Sequence, residues 1–323
     1  LGASLGAVEL CVALHYVYNT PEDKIVFDVG HQAYAHKIIT GRREIFKQNR
    51  MYKGISGFPK ISESPYDSFG TGHSSTSISS ALGLAVAAKA QGKDYKAIAV
   101  IGDGAMTGGM AFEALNNAGC MKTDILVILN DNQISIDKNT GALHNHLLNI
   151  STSATYNKVK KHVWDTIGAN KIRSGVQRFV SSTKHALLKQ GSMFESLGFR
   201  YFGTIDGNNI YQLVETLQKL HKIDGPKILH IVTTKGKGYE PAETNQVVWH
   251  APGKFNPKTG ERTTSSNGGI SRFQDVFGQT LLDLAKANPK IVGITPAMAS
   301  GCGMNIMMKE MPERVFDVGI AEP

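Results

Sequence analysis

Two short runs carry the residues best suited to chemistry, Gly102-Asp103-Gly104 and Asn130-Asp131-Asn132. Each ends an apolar, strand-sized stretch, 97–101 and 125–129, and a helical pattern around 110–118 lies between them. Short apolar runs bounded by turn residues read as buried strands. At the first strand end the glycines let backbone approach a ligand closely. A helix starting near Thr107 would aim its free N–H groups and positive dipole end at an anion placed there. Asp103 and Asn132 would then offer a carboxylate and an amide oxygen from neighbouring strand tips. Such hard oxygen donors suit an octahedral Mg²⁺ that keeps phosphate oxygens and water as its other ligands. Mg²⁺ bridging a diphosphate is the expected occupant, which requires residues 103 and 132 to share one cavity.

Either run alone is an ordinary loop; their pairing at two strand ends flanking one helix is what points to a ligand. A Rossmann dinucleotide site needs G-x-G-x-x-G directly after the strand and an acid ~20 positions on. Here Gly102 and Gly104 are followed by Thr107, Gly108 and Gly109, so the third glycine misses its slot.

The elements that must position these residues alternate along the chain. Strand-like runs at 25–27, 97–101, 125–129 and 227–233 alternate with helical patterns at 75–90, 110–118 and 209–223. That order predicts an α/β fold, a parallel sheet with helices on both faces and ligands at the carboxyl ends of the strands. Residues 251–271, APGKFNPKTGERTTSSNGGIS, have linker composition. A helix at 272–287, a strand at 290–294 and a run ending at 318 begin a second α/β domain, cut off after roughly fifty residues, too few for an ordinary independent core. The expected division is a domain at 1–250, a linker at 251–271 and an incomplete domain at 272–323. Residues 135–190 read as a polar insertion or lid, and no internal repeat is found. Leu1 opens in the middle of an apolar helical pattern, which reads as a truncated piece.

The chain has 323 residues, 41% hydrophobic and 19% charged, with no stretch near the ~18 consecutive apolar residues of a membrane span. No membrane association is expected. Cys11, Cys120 and Cys302 are scattered without metal-ligand spacing and fit free thiols in a reducing compartment. The net charge of +8 comes with no nucleic-acid module, and the cluster Lys158, Lys160 and Lys161 reads as a solvated helix face. The excess charge is assigned to attraction for phosphorylated ligands.

Gly-Asp-Gly followed by a strand-terminal Asn pair resembles the thiamine-diphosphate motif. Four further words, DVGHQAYAHKIITGR (28–42), FGTGHSSTSISSALGLA (69–85), KGKGYEPAE (235–243) and FDVGIAE (316–322), resemble the 1-deoxy-D-xylulose-5-phosphate synthase family in the expected order. The resemblance covers essentially the whole chain, about the first half of a family member minus its amino-terminal stretch. It implies thiamine diphosphate and Mg²⁺ as cofactors, the metal held by Asp103, Asn132 and the backbone carbonyl of Ile134. It implies Gly104 and Ala105 against the diphosphate, Gly72, His73 and Ser74 lining the cofactor, and Tyr239 touching the cofactor region. It also implies His31 beside the thiazolium end, His250 facing the substrate and Glu322 hydrogen-bonding the aminopyrimidine, these three being catalytic. The 1–250 and 272–323 segments become its diphosphate-binding and pyrimidine-binding domains.

The implied reaction condenses pyruvate with D-glyceraldehyde 3-phosphate, with loss of CO₂, giving 1-deoxy-D-xylulose 5-phosphate. A homodimer is implied at full length, in the bacterial cytoplasm or a plastid stroma, with the cytoplasm favoured. Of the histidines, His31 and His73 stand out in glycine-preceded loops, while His36, His144, His146, His162 and His230 read as structural or surface groups. Three departures stand out. A catalytic histidine of the family falls ahead of Leu1, Pro323 replaces a Gln, and the family's Asp-Gly-His-Asp is Asp206-Gly207-Asn208-Asn209. The isolated chain is expected to be inactive or nearly so. Rival assignments are transketolase, a 2-oxo acid dehydrogenase component, and a non-catalytic cofactor-binding module.

Overall fold

The computed structural model describes residues 1–132, 192–246, 248–250, 252–262 and 270–322. Ile134, His144, His146, His162 and the 135–190 stretch lie outside them. Helix α1 (Val8–Val17) leads into strand β1 (Lys24–Phe27), and α2 (Ser77–Ala90) into β2 (Ala97–Gly102). Helix α3 (Gly109–Met121) precedes β3 (Leu126–Asp131); β4 (Arg200–Asp206), α4 (Ile210–His221) and β5 (Lys227–Val232) follow. The five strands form one parallel sheet in the order β1-β2-β3-β5-β4.

Side-chain alternation sends Val26, Ala99, Ile101, Val127 and Leu129 towards one core with Ile78, Leu82 and Leu115 of α2 and α3. Ile25, Phe27, Ile98, Val100 and Ile128 face the other core, against Leu10 and Leu14 of α1 and Leu213 and Leu217 of α4. Both faces are covered, which is why these strands read as unbroken apolar runs. Small residues let helices sit close. A methyl group on Gly119 of α3 would lie 1.6 Å from the carbonyl oxygen of Leu197. Gly119→Ala is therefore expected to cost at least about 2 kcal/mol, read as a lower denaturant midpoint.

Several expectations shift. The helix awaited near Thr107 opens at Gly109, because residues 105–107 first form a 3-10 turn and Gly108 is extended. Asn209 does not begin α4 but caps it, its side chain accepting the Gln212 N–H. Strand β4 was not anticipated; it is an edge strand interrupted at Gly203, where an added Cβ would lie 2.4 Å from the His230 carbonyl oxygen. The run expected at 290–294 forms strand β6 over Gly293–Thr295, parallel to β7 (Val315–Asp317). Helices α5 (Phe273–Ala287) and α6 (Asn305–Glu310) pack there through Leu282, Ala285 and Met307. One repeat was also overlooked: Val-Phe-Asp-Val-Gly occurs at 26–30 and again at 315–319, each time across the end of a strand.

Candidate functional site

The carboxyl ends of β1, β2, β3 and β5 open on one cavity of about 650 Å³, lined among others by Asp28, His31, Asp103, Asn132, Lys235 and His250. Residues 103 and 132 thus share a cavity, as the cation-site expectation required. Their strands are neighbours with Gly102 opposite Asn130, and the Asp103 N–H donates to the Asn130 carbonyl at 3.3 Å.

Asp103 is buried, and burial followed by the nearby Asp131 charge pushes its carboxyl up to about 7, against the backbone N–H groups of Asp103, Asn132 and Gly104. A carboxylate disfavoured in its charged form at a cavity wall fits a divalent cation, whose charge would offset both causes. The backbone beside it is open: a Cβ on Gly102 would meet nothing within 4 Å, and Gly104 and Ala105 also line the cavity. The donor set and the cavity-lining glycine backbone fit Mg²⁺ with a diphosphate.

Lys235 was missed at the level of sequence. Its side chain is among the fully buried ones, and burial lowers its ammonium to about 8, with Asp103 acting in the opposite sense. The signal was its place just beyond the apolar run of β5, the same strand-end logic that found Asp103. Arg50 and Phe58, from a segment without periodicity, also line the cavity.

His31 and His250 sit with ring centroids 5.7 Å apart, and each has a buried Nδ1 without a hydrogen-bond partner. Burial first, then His250 and Lys235, holds His31 near 3. Burial and Lys235 likewise lower His250 to about 4. Both rings are neutral at pH 7 and able to donate or accept. Because these folded values lie below the unfolded one, the unfolded chain takes up protons that the native state excludes. Stability is expected to fall as pH drops from about 6.5 towards 4, by at most about 1.4 kcal/mol per pH unit for each histidine. Denaturant titrations at pH 7 and pH 5 of the parent and of His250→Gln measure it, the difference between the two chains separating the ring from Asp103, which acts in the opposite sense. An unchanged pH dependence in the variant would contradict the burial of that ring.

Glu322, in the loop after β7, meets the 72–74 loop: Oε1 lies 3.1 Å from His73 Nδ1, and Oε2 accepts the Ser74 N–H. Burial would raise this carboxyl, but hydrogen bonds from Ser74 and His73 outweigh it and hold it below the usual glutamate range. Nearby, the Ile320 carbonyl accepts from Thr107 Oγ1 at 3.3 Å, and Ile320 borders the cavity. Gly72, His73 and Ser74 are not among the lining residues; His73 and Ser74 stand against Glu322 instead. Tyr239 also stands off the lining. Its ring packs edge-on to Trp249 at 5.1 Å and against Phe255, which does line the cavity, and its buried hydroxyl has no partner.

His36 and His230 are buried in hydrogen-bonded networks, with Asp67 and with Asp131 and Tyr201 respectively. At the departure in 206–209, Asn208 accepts the Thr234 N–H at 2.8 Å and its amide lies 3.3 Å from Glu9 Oε2, so it steadies the backbone just ahead of Lys235.

A family model described as 1-deoxy-D-xylulose-5-phosphate synthase matches residues 1–233. A protein of that name from Cytophaga hutchinsonii is 58% identical over 330 residues, covering 99% of this chain and 51% of the relative. One from Porphyromonas gingivalis is 53% identical over 330 residues, covering 100% of this chain and 52% of the relative. The chain therefore spans about half the length of these curated relatives. Among solved structures, transketolase from Campylobacter jejuni aligns over 98% of this chain and 56% of its own, with TM-score 0.52 and 18% identity. Transketolase from Leishmania mexicana aligns over 98% and 59%, with TM-score 0.50 and 16% identity. At such identities the likeness is one of fold.

Proposed function

The chain belongs to the 1-deoxy-D-xylulose-5-phosphate synthase family, and from that premise we propose that its cavity binds thiamine diphosphate with Mg²⁺. The reaction served is the condensation of pyruvate with D-glyceraldehyde 3-phosphate, with loss of CO₂, to 1-deoxy-D-xylulose 5-phosphate. The observation that carries this proposal is the cavity common to Asp103 and Asn132 at adjacent strand tips.

In this scheme Asp103, Asn132 and the Ile134 carbonyl hold the metal. Gly104 and Ala105 offer backbone to the diphosphate, while Lys235 balances the anionic charge gathered in the cavity. When bound, thiamine diphosphate supplies a nucleophilic carbon and an electron sink. Glu322 hydrogen-bonds the aminopyrimidine, and Gly72, His73, Ser74 and Tyr239 support the cofactor. His31 and His250, neutral and each with an Nδ1 that has no hydrogen-bond partner, would hold or move protons at the substrate oxygens. The apolar walls of Phe58 and Phe255 help keep water from the reacting centre.

Residues 1–250 serve as the diphosphate-binding domain, 251–271 as linker and 272–323 as the opening of a pyrimidine-binding domain, consistent with the separate two-stranded sheet of β6 and β7. The complete protein works as a cytoplasmic homodimer. With relatives about twice as long, this chain by itself is expected to turn over pyruvate and triose phosphate slowly or not at all. Calorimetric titration with thiamine diphosphate, with and without Mg²⁺, tests the site. Metal-dependent binding is the expected result, and heat-silent titrations under both conditions would sink the proposal.

A further inference from the structure

Asp28, in the first copy of the Val-Phe-Asp-Val-Gly word, lies at the tip of β1, almost wholly buried and beside the cavity. Its Oδ1 accepts the Ser75 N–H at 2.8 Å and its Oδ2 the Ser77 N–H at 3.0 Å. Those donors belong to the entry of α2, where backbone N–H groups otherwise lack partners and negative charge is favoured. Ser75 holds φ 67° and Val29 holds φ 56°, left-handed values that a serine and a β-branched residue adopt only when their surroundings impose them. Ser75 Oγ in turn donates to the Ala105 carbonyl at 2.7 Å. A Cβ on Gly108 would fall 2.1 Å from that hydroxyl oxygen, so only glycine lets the 105–108 loop come so close. One carboxylate thereby ties together the His31 loop, the His73–Ser74 loop and the Gly104–Ala105 turn.

The second copy does the same at the tip of β7. Asp317 Oδ1 accepts the Ala297 N–H at 2.9 Å and the Gly319 N–H at 3.0 Å. Ala297 holds φ 58°, again a left-handed residue that is not glycine. Two residues beyond Gly319 the chain has passed Ile320, and Glu322 then meets His73 and Ser74. The shared word thus recurs with a shared device: a strand-end aspartate accepts the N–H of a left-handed residue in a neighbouring loop.

We propose that Asp28 and Asp317 are positioning residues, which by these hydrogen bonds fix the loops carrying His31, His73, Ala105 and Glu322 in the geometry that binds the cofactor. This rests on the thiamine-diphosphate assignment above.

The two aspartates make different predictions because they use their oxygens differently. Asp28 uses both, so Asp28→Asn must turn an amide N–H₂ towards a backbone N–H and lose one bond. Asp317 uses Oδ1 for both contacts, so Asp317→Asn can keep them while Asp317→Ala cannot. Thiamine diphosphate affinity at saturating Mg²⁺, measured by calorimetry on the full chain, is expected to fall about tenfold or more in Asp28→Asn and about tenfold in Asp317→Ala. Asp317→Asn is expected to stay within about threefold of the parent. Equal losses in the alanine and asparagine variants at 317 would show a charge effect and overturn the proposal. Binding by Asp28→Asn as tight as the parent would also overturn it. Should Asp28→Asn fail to fold, the pair of variants at 317 decides alone. If the parent binds but all variants bind alike, only this inference falls; if the parent does not bind, the cofactor assignment falls first.

Discussion

Replacing Asp103 with alanine is expected to weaken Mg²⁺-dependent binding of thiamine diphosphate more than about 100-fold, yet leave the ligand-free chain at least as stable as the parent. Both halves follow from the same burial. The native carboxyl holds its proton until about pH 7, whereas an unfolded aspartate releases it near 4. The native state is therefore penalised as pH rises above about 4, and in full above about 7, by on the order of a few kcal/mol. Alanine deletes that penalty and gives up hydrogen bonds from backbone N–H groups that water in the cavity can replace. It also deletes the one carboxylate that the proposed metal site draws from the described residues. Calorimetry with and without Mg²⁺, paired with thermal unfolding in metal-free buffer, reads both halves. A variant that unfolds well below the parent without ligands would mark Asp103 as a structural acid, and one that binds as tightly would move the metal elsewhere.

How much could be read beforehand depended on whether a feature was local. Strands β2 and β3 are buried on both faces, so their apolar runs were continuous and their tips fell at Gly102 and Asn130 without knowledge of the fold. The site residues at those tips were legible for that reason. Lys235 was not, because a lysine between Thr234 and Gly236 looks solvated until β5 is known to lie beside β3. Strand β4 was obscured by Gly203 and by its edge position, where partial exposure blurs alternation. The Asp28–Ser75 tie joins residues 47 apart, and no spacing rule reaches that far. The repeated word was visible in the sequence all along. Its meaning was not, since it rests on the left-handed backbone of Ser75 and Ala297, two residues that ordinarily avoid that conformation.

Asp67→Asn is expected to destabilise the chain by about 3–5 kcal/mol at pH 7, the largest stability effect of a single polar substitution among those considered. Asp67 is buried and takes four bonds: Arg42 reaches Oδ2 at 2.6 Å and Oδ1 at 2.8 Å, His36 Nε2 lies 2.9 Å from Oδ1, and the Lys60 N–H donates at 2.8 Å. Burial would raise its carboxyl, but the bonds from His36, Arg42 and Lys60 prevail and hold it well below the usual carboxylate range. Burial also lowers the His36 imidazole more than Asp67 raises it, and it lowers His15 to about 4. With both rings neutral only one direction of bonding is consistent: Thr20 O–H to His15 Nδ1, His15 Nε2–H to His36 Nδ1, and His36 Nε2–H to Asp67. The carboxylate anchors that chain and neutralises Arg42, which the asparagine would leave buried with its charge only weakly met by Glu63 at 3.9 Å. Since the folded pKa is depressed, Asp67 contributes its stability above about pH 4 and loses it as pH falls further. The gap between parent and variant is therefore expected to be full at pH 7 and to close below pH 4, measured as denaturant midpoints across that range. A gap under about 1 kcal/mol at pH 7 would mean the pair behaves like an exposed one, and the buried network would not be what holds the turn after His31 in place.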